Sequence, residues 1–83
     1  MTSLKNIIEA WREEQKTWID FSGLSDKVID KASKISILFE NSGFYVYPTC
    51  SNSVQFEKEI DGVYMELEIF EDKEEFFIQV KEL

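Results

Sequence analysis

Eighty-three residues, 43% apolar and 14% aromatic, make one folded domain with a single core and too little chain for a large enzyme cleft. Seventeen acidic against nine basic side chains leave a formal charge of −8. A field of that sign repels phosphate, which argues against direct binding to nucleic acid or an anionic membrane.

The absence of histidine removes imidazole from any acid–base or nucleophile pair. The single Cys50 closes no internal disulfide and makes no zinc cluster, and it fits a reducing compartment. The expectation is therefore a cytoplasmic protein that is not an enzyme and carries no cofactor or metal. The opening residues, MTSLKNIIEAWREEQ, carry charges within their apolar pattern and do not read as a signal peptide.

Helical spacing of Leu4, Ile7, Ile8, Trp11, Trp18 and Ile19 predicts an amphipathic helix over about 3–19. Ser3 or Thr2 is its candidate cap, because a side-chain oxygen there can take a free backbone N–H. Gly23 ends the segment. A second helix is expected over about 26–41, capped by Ser25, with Leu24 and Ile29 placed as a hydrophobic staple. Val28, Ile29, Ala32, Ile35 and Phe39 form its apolar stripe, and Gly43 suits the left-handed position that closes it.

Beyond Gly43 the period changes to two. FYVY (44–47) reads as a short strand ending at Pro48, whose place in the sheet is left open. SVQFEKEI (53–60) and VYMELEIF (63–70) flank Asp61-Gly62, the pair that favours a two-residue hairpin turn with positive φ at both positions. A last strand is expected over about 75–81, after a four-residue loop at 71–74. The fold class is α+β: two N-terminal helices on one face of a three- to four-stranded antiparallel meander, in one domain spanning 1–83.

The Asp61-Gly62 turn sets a register in which Ile60 meets Val63, Lys58 meets Met65, Phe56 meets Leu67 and Val54 meets Ile69. Apart from Lys58 that face is apolar, and the helices are expected to cover it. The four-residue loop would pair Phe70 with Glu75, and Ile69, Leu67 and Met65 with Phe76, Ile78 and Val80. The opposite face then carries Glu59 with Tyr64 and Lys81, Glu57 with Glu66 and Gln79, and Gln55 with Glu68 and Phe77.

Carboxylates opposed in this way cost a few tenths to about 1 kcal/mol per pair, and nothing in the fold requires them. The acidic residues also concentrate late in the chain: residues 54–83 hold 10 acidic and 3 basic side chains, residues 1–53 hold 7 and 6. The outer face is accordingly the candidate partner-binding surface. Glu57, Glu59, Glu66, Glu68 and Glu75 would meet Lys or Arg, with Tyr64, Phe70 and Phe77 as anchors. An open sheet face gives these carboxylates no pocket to tune them for catalysis and no looped spacing for calcium.

YPTCSNSVQFEKEIDGVYMELEIF, through Pro48, Thr49, Val54, Gln55, Phe56 and Glu57 and the following ELEI, resembles a signature of small bacterial α+β proteins without an assigned activity. In these a helix precedes a strand ending Pro-Thr, a Gly-rich turn, a Val/Ile-x-Leu-Glu strand and a Glu-x-Glu strand. The resemblance covers about residues 26–70. Cys50 stands where a second proline is usual, Ser51-Asn52-Ser53 where Asp-Gly-Gly is usual, and Lys58 where Trp is usual. The resemblance implies a fold and a prokaryotic or phage setting, and it transfers no catalytic residue.

Small size, missing catalytic groups and the concentrated acidic face lead to one functional expectation. It is a protein-binding inhibitor or neutraliser, of antitoxin, immunity or phage anti-defence (anti-CRISPR) type. Such a protein would cover a basic surface, for example that of a nucleic-acid-binding nuclease or toxin, by mimicking nucleic-acid charge. The alternative expectation is a non-catalytic structural or oligomerisation module whose outer aromatic face pairs with another sheet or subunit.

Overall fold

Ser3 accepts the Asn6 N–H at 3.1 Å and starts α1, Leu4–Glu14. The helix is shorter than its apolar spacing predicts, because the chain tightens into a 3₁₀ turn at Gln15–Thr17. At this junction Gln15 ties the end of the helix to the start of the next. Its amide brackets Leu24, accepting the Leu24 N–H at 2.5 Å and donating to the Leu24 carbonyl at 3.1 Å. Trp18, now outside the helix, still packs on the core and meets Trp11 edge-on with centroids 6.5 Å apart. Ile19, expected on the apolar stripe, is exposed. The computed structural model describes residues 2–19 and 23–81.

Ser25 caps α2, Asp26–Ser36, by accepting the Val28 N–H at 3.2 Å. Leu24 and Ile29 are both buried, as the staple requires. The helix also ends early, passing into a 3₁₀ turn at Ile37–Phe39. Asn41 takes the first left-handed conformation after it, with φ 60°, and Gly43 with φ 78° serves the entry to the sheet instead. A side chain at Gly43 would also approach the Lys58 stem at 3.5 Å.

Four strands follow in the spatial order β1-β2-β3-β4, all antiparallel: β1 Tyr45–Thr49, β2 Ser53–Ile60, β3 Val63–Ile69 and β4 Glu74–Val80. Pro48 lies inside β1 rather than after it, which an edge strand tolerates because one side of its backbone needs no ladder partner. Asp61 (φ 50°) and Gly62 (φ 80°) form the expected turn. Every β2–β3 pair expected from it is present, from Val54–Ile69 to Ile60–Val63.

The β3–β4 pairing departs from expectation by two residues. Phe70 N–H donates to the Lys73 carbonyl at 2.9 Å, so the reversal is Glu71-Asp72 and not a four-residue loop. Met65 therefore faces Ile78, Leu67 faces Phe76, and Glu66 faces Phe77. A shift of two keeps every side chain on its own face and only moves the rows.

The core lies between the helices and the middle of the sheet, β2 and β3. Ile8, Trp11, Leu24, Val28, Ile29 and Ala32 meet Val54, Phe56 and Ile69, with Val46 and Leu67 packed around them. Phe39 bridges Phe44 and Phe56 at centroid distances of 4.7 and 5.3 Å. Lys58, the one charge that β2 and β3 place on the apolar face, runs its stem past Gly43, donates its ammonium to the Ser42 carbonyl and stands 5.7 Å from the centre of the Phe44 ring. Coverage stops short of β4, all of whose residues are exposed. The helices thus leave the β4 part of the expected apolar face open.

Candidate functional site: the outer face of the sheet

Register alone decides which side chains look away from the helices. One row runs Tyr45, Glu57, Glu66, Phe77 and the next Tyr47, Gln55, Glu68, Glu75. A third is Glu59, Tyr64, Gln79. Glu57 and Glu66 are direct cross-strand partners, and so are Glu68 and Glu75.

Hydroxyl groups relieve the resulting repulsion. Tyr64 lies 2.7 Å from Glu66 Oε2 and 2.9 Å from Glu57 Oε2. Its single proton is shared between the two carboxylates. Tyr47 also donates to Glu57 Oε2, at 3.0 Å, and receives Gln55 Nε2 at 2.5 Å. Ser53 donates to Glu68 Oε2 at 2.5 Å. These donors are neutral, so they orient the carboxylates without cancelling their charge.

The tyrosines respond in the expected sense. Bonding to Glu66 leads the causes that raise the Tyr64 hydroxyl well above its ordinary value, followed by partial burial and Glu57. Partial burial and then Glu57 push Tyr47 up to about 12. An ionised phenol beside these carboxylates would add a third like charge, and so each keeps its proton.

Two carboxylates of the face have cationic neighbours. Glu59 pairs with Lys81, and Glu75 meets Lys73 at 3.3 Å. Both pairs are exposed and contribute little to stability. Phe77 packs edge-on against Tyr64 with centroids 6.4 Å apart and stays half exposed, at the far end of the row that begins with exposed Tyr45.

Of the eight residues singled out in the sequence, Glu57, Glu59, Tyr64, Glu66, Glu68, Glu75 and Phe77 share this face. Phe70 differs. It closes the Glu71-Asp72 turn opposite Lys73, with the Lys73 ammonium 4.8 Å from its ring centre, and it does not face Glu75. Tyr45 and Tyr47 escape the sequence reading because β1 had no assigned place in the sheet, whereas Gln55 was placed on this face and not counted as a site residue. The alternation of Tyr45 and Tyr47 about inward Val46 was the available signal.

The face is open, and its carboxylates are held by hydroxyls and lysines. Among the described residues no group of three or more Asp, Glu, Cys or His side chains is placed to hold a metal ion. No helix among them is long and apolar enough to cross a membrane. The arrangement can accept several guanidinium or ammonium groups at once, with aromatic edges beside them. Family models, curated proteins and solved structures were all compared with the chain, and none matches it.

Proposed function

We propose that this protein binds a basic surface of another protein and blocks it, as an inhibitor or neutraliser of antitoxin, immunity or phage anti-defence type. The observation that carries this reading is the pairing of Glu57 with Glu66 and of Glu68 with Glu75 on one open face, with hydroxyls that hold Glu57, Glu66 and Glu68 without neutralising them. Carboxylates already oriented lose little freedom when a partner's arginines arrive. The face would stand in for a phosphate backbone, and the net charge of −8 would steer a cationic partner towards it.

The test is a pull-down from bacterial lysate at low salt, repeated with the Glu57→Lys/Glu66→Lys double variant. A basic protein captured by the wild type, released by a salt step and lost with the double variant is the expected result. Its association rate should fall at least about tenfold from low to physiological salt. Capture that survives the charge reversal, or a rate indifferent to salt, overturns the proposal.

The second reading, a structural or oligomerisation module, is favoured by a different observation, the exposure of β4 along its whole length.

A further inference from the structure

The two edges of the sheet are built differently. β1 is five residues long and contains Pro48, which removes one ladder donor and blunts that edge. β4 is seven residues long, EEFFIQV, without proline or glycine, and lies at the opposite edge. Its helix-side residues Phe76, Ile78 and Val80 are 58%, 53% and 67% exposed, and Ile60 beside them is 49% exposed. A long apolar edge strand of this kind is a template for another strand.

The hydrogen bonds show which backbone groups are free. The Lys73 carbonyl and the Lys81 N–H both point back to the preceding hairpin, bonding Phe70 N–H at 2.9 Å and the Gly62 carbonyl at 2.8 Å. Alternation along the strand then points the N–H and C=O groups of Glu74, Phe76, Ile78 and Val80 outward.

We infer that β4 pairs antiparallel with β4 of a second copy of this chain about a two-fold axis at Ile78, joining the two four-stranded sheets into one. The register follows from charge and polarity. With Ile78 opposite its own copy, Phe76 faces Val80 and Phe77 faces Gln79. Glu75 then faces Lys81 on both sides of the axis, while Glu74 falls opposite the glutamate at position 82, beyond the described residues. Centring on Phe77 instead sets Lys73 against Lys81 and Glu74 against Val80. Centring on Phe76 sets Glu74 against Ile78 and Asp72 against Val80. Of these three registers only the one at Ile78 brings Glu75 to Lys81 while keeping Phe76 and Val80 opposite each other, and the Glu74–Glu82 opposition at its ends offsets part of that gain.

The apolar surface available is on the order of 400 Å² per copy, taking whole side chains at about 150–200 Å². That is about half of the ~800 Å² per partner that a stable interface buries, so the backbone ladder must supply the rest. A weak dimer is expected, with a dissociation constant in the micromolar range or above. The inference does not rest on the anionic face. Salt separates the two surfaces, since it screens attraction to a basic partner while also screening repulsion between two copies that each carry −8.

Sedimentation equilibrium over a concentration series, with amide hydrogen exchange on the same samples, tests it. The wild type should pass from monomer to dimer, and the amides of Phe76, Ile78 and Val80 should slow as it does. Ile78→Lys, which sets two ammonium groups at the axis, should stay monomeric with an unchanged circular dichroism spectrum. Glu75→Lys alone and Lys81→Glu alone should each weaken the dimer about 3- to 10-fold, and the double swap should restore it to within about twofold.

A wild type monomeric up to about 1 mM overturns the inference, as does a dimer that survives Ile78→Lys or a double swap that restores nothing. A monomer whose β4 amides slow only when another protein is added assigns the edge to that protein's strand and also overturns self-pairing.

Discussion

Replacing Tyr64 with phenylalanine isolates what holds two opposed carboxylates together. The ring stays against Phe77, where the centroids are 6.4 Å apart, and only the hydroxyl between Glu57 and Glu66 is lost. That hydroxyl has two acceptors and one proton, so one charge-assisted hydrogen bond disappears. In a half-buried position, where solvent screens the acceptor, such a bond contributes about 1–1.5 kcal/mol, just under the range for charged acceptors. The unrelieved Glu57–Glu66 opposition adds about 0.2–1 kcal/mol.

The expected loss is therefore ~1–2.5 kcal/mol at neutral pH, or roughly 5–20 °C in the midpoint of thermal unfolding for a chain of this size. Urea unfolding followed by circular dichroism measures it. Acidification supplies the control, because a protonated carboxyl neither repels its neighbour nor needs the donor. The gap between wild type and variant should therefore narrow in acid. In the Tyr64→Phe background Glu66→Gln should stabilise, whereas in the wild type it should be neutral or harmful. A loss under about 0.5 kcal/mol, or a gap that keeps its size in acid, would show that the hydroxyl does not relieve the carboxylate pair.

Two further outcomes follow from the same structure. Phenolate absorbance should show Tyr47 titrating at about 12 and Tyr64 higher still. Both folded values are raised above the unfolded value near ~10, so their stabilisation is complete below pH ~10 and is lost as pH climbs through the folded values. Unfolding at fixed urea should accordingly steepen above pH ~10 in the wild type and shift less in Tyr64→Phe. Phe56→Ala should cost about 3–5 kcal/mol, since Phe56 is fully buried against Phe39 at the centre of the core. In a domain this small that approaches the whole stability, and a folded, cooperative Phe56→Ala variant within about 1.5 kcal/mol of wild type would place the core elsewhere.

Local chemistry made much of this architecture legible in the chain itself. Ser25 before an apolar stripe, and Asp61-Gly62 between two alternating runs, each act through their immediate neighbours. The turn then dictates every β2–β3 partner and hence the meeting of Glu57 with Glu66. Other features were decided by residues distant in sequence. Gln15 at the end of α1 bonds both backbone groups of Leu24, and the hydrogen-bonded Phe70–Lys73 reversal sets the β3–β4 register two residues from where a longer loop would put it. Pairing of β1 with β2 brings Tyr47 to Glu57. Where the helices lie was also beyond local reach: periodicity names an apolar face, but the area that two short helices can cover depends on how they pack. Here they cover β2 and the Leu67–Ile69 end of β3 and leave Phe76, Ile78 and Val80 in the open. Alternation along a strand is a property of its own backbone, whereas coverage of a sheet depends on contacts between elements, which only the folded chain can set.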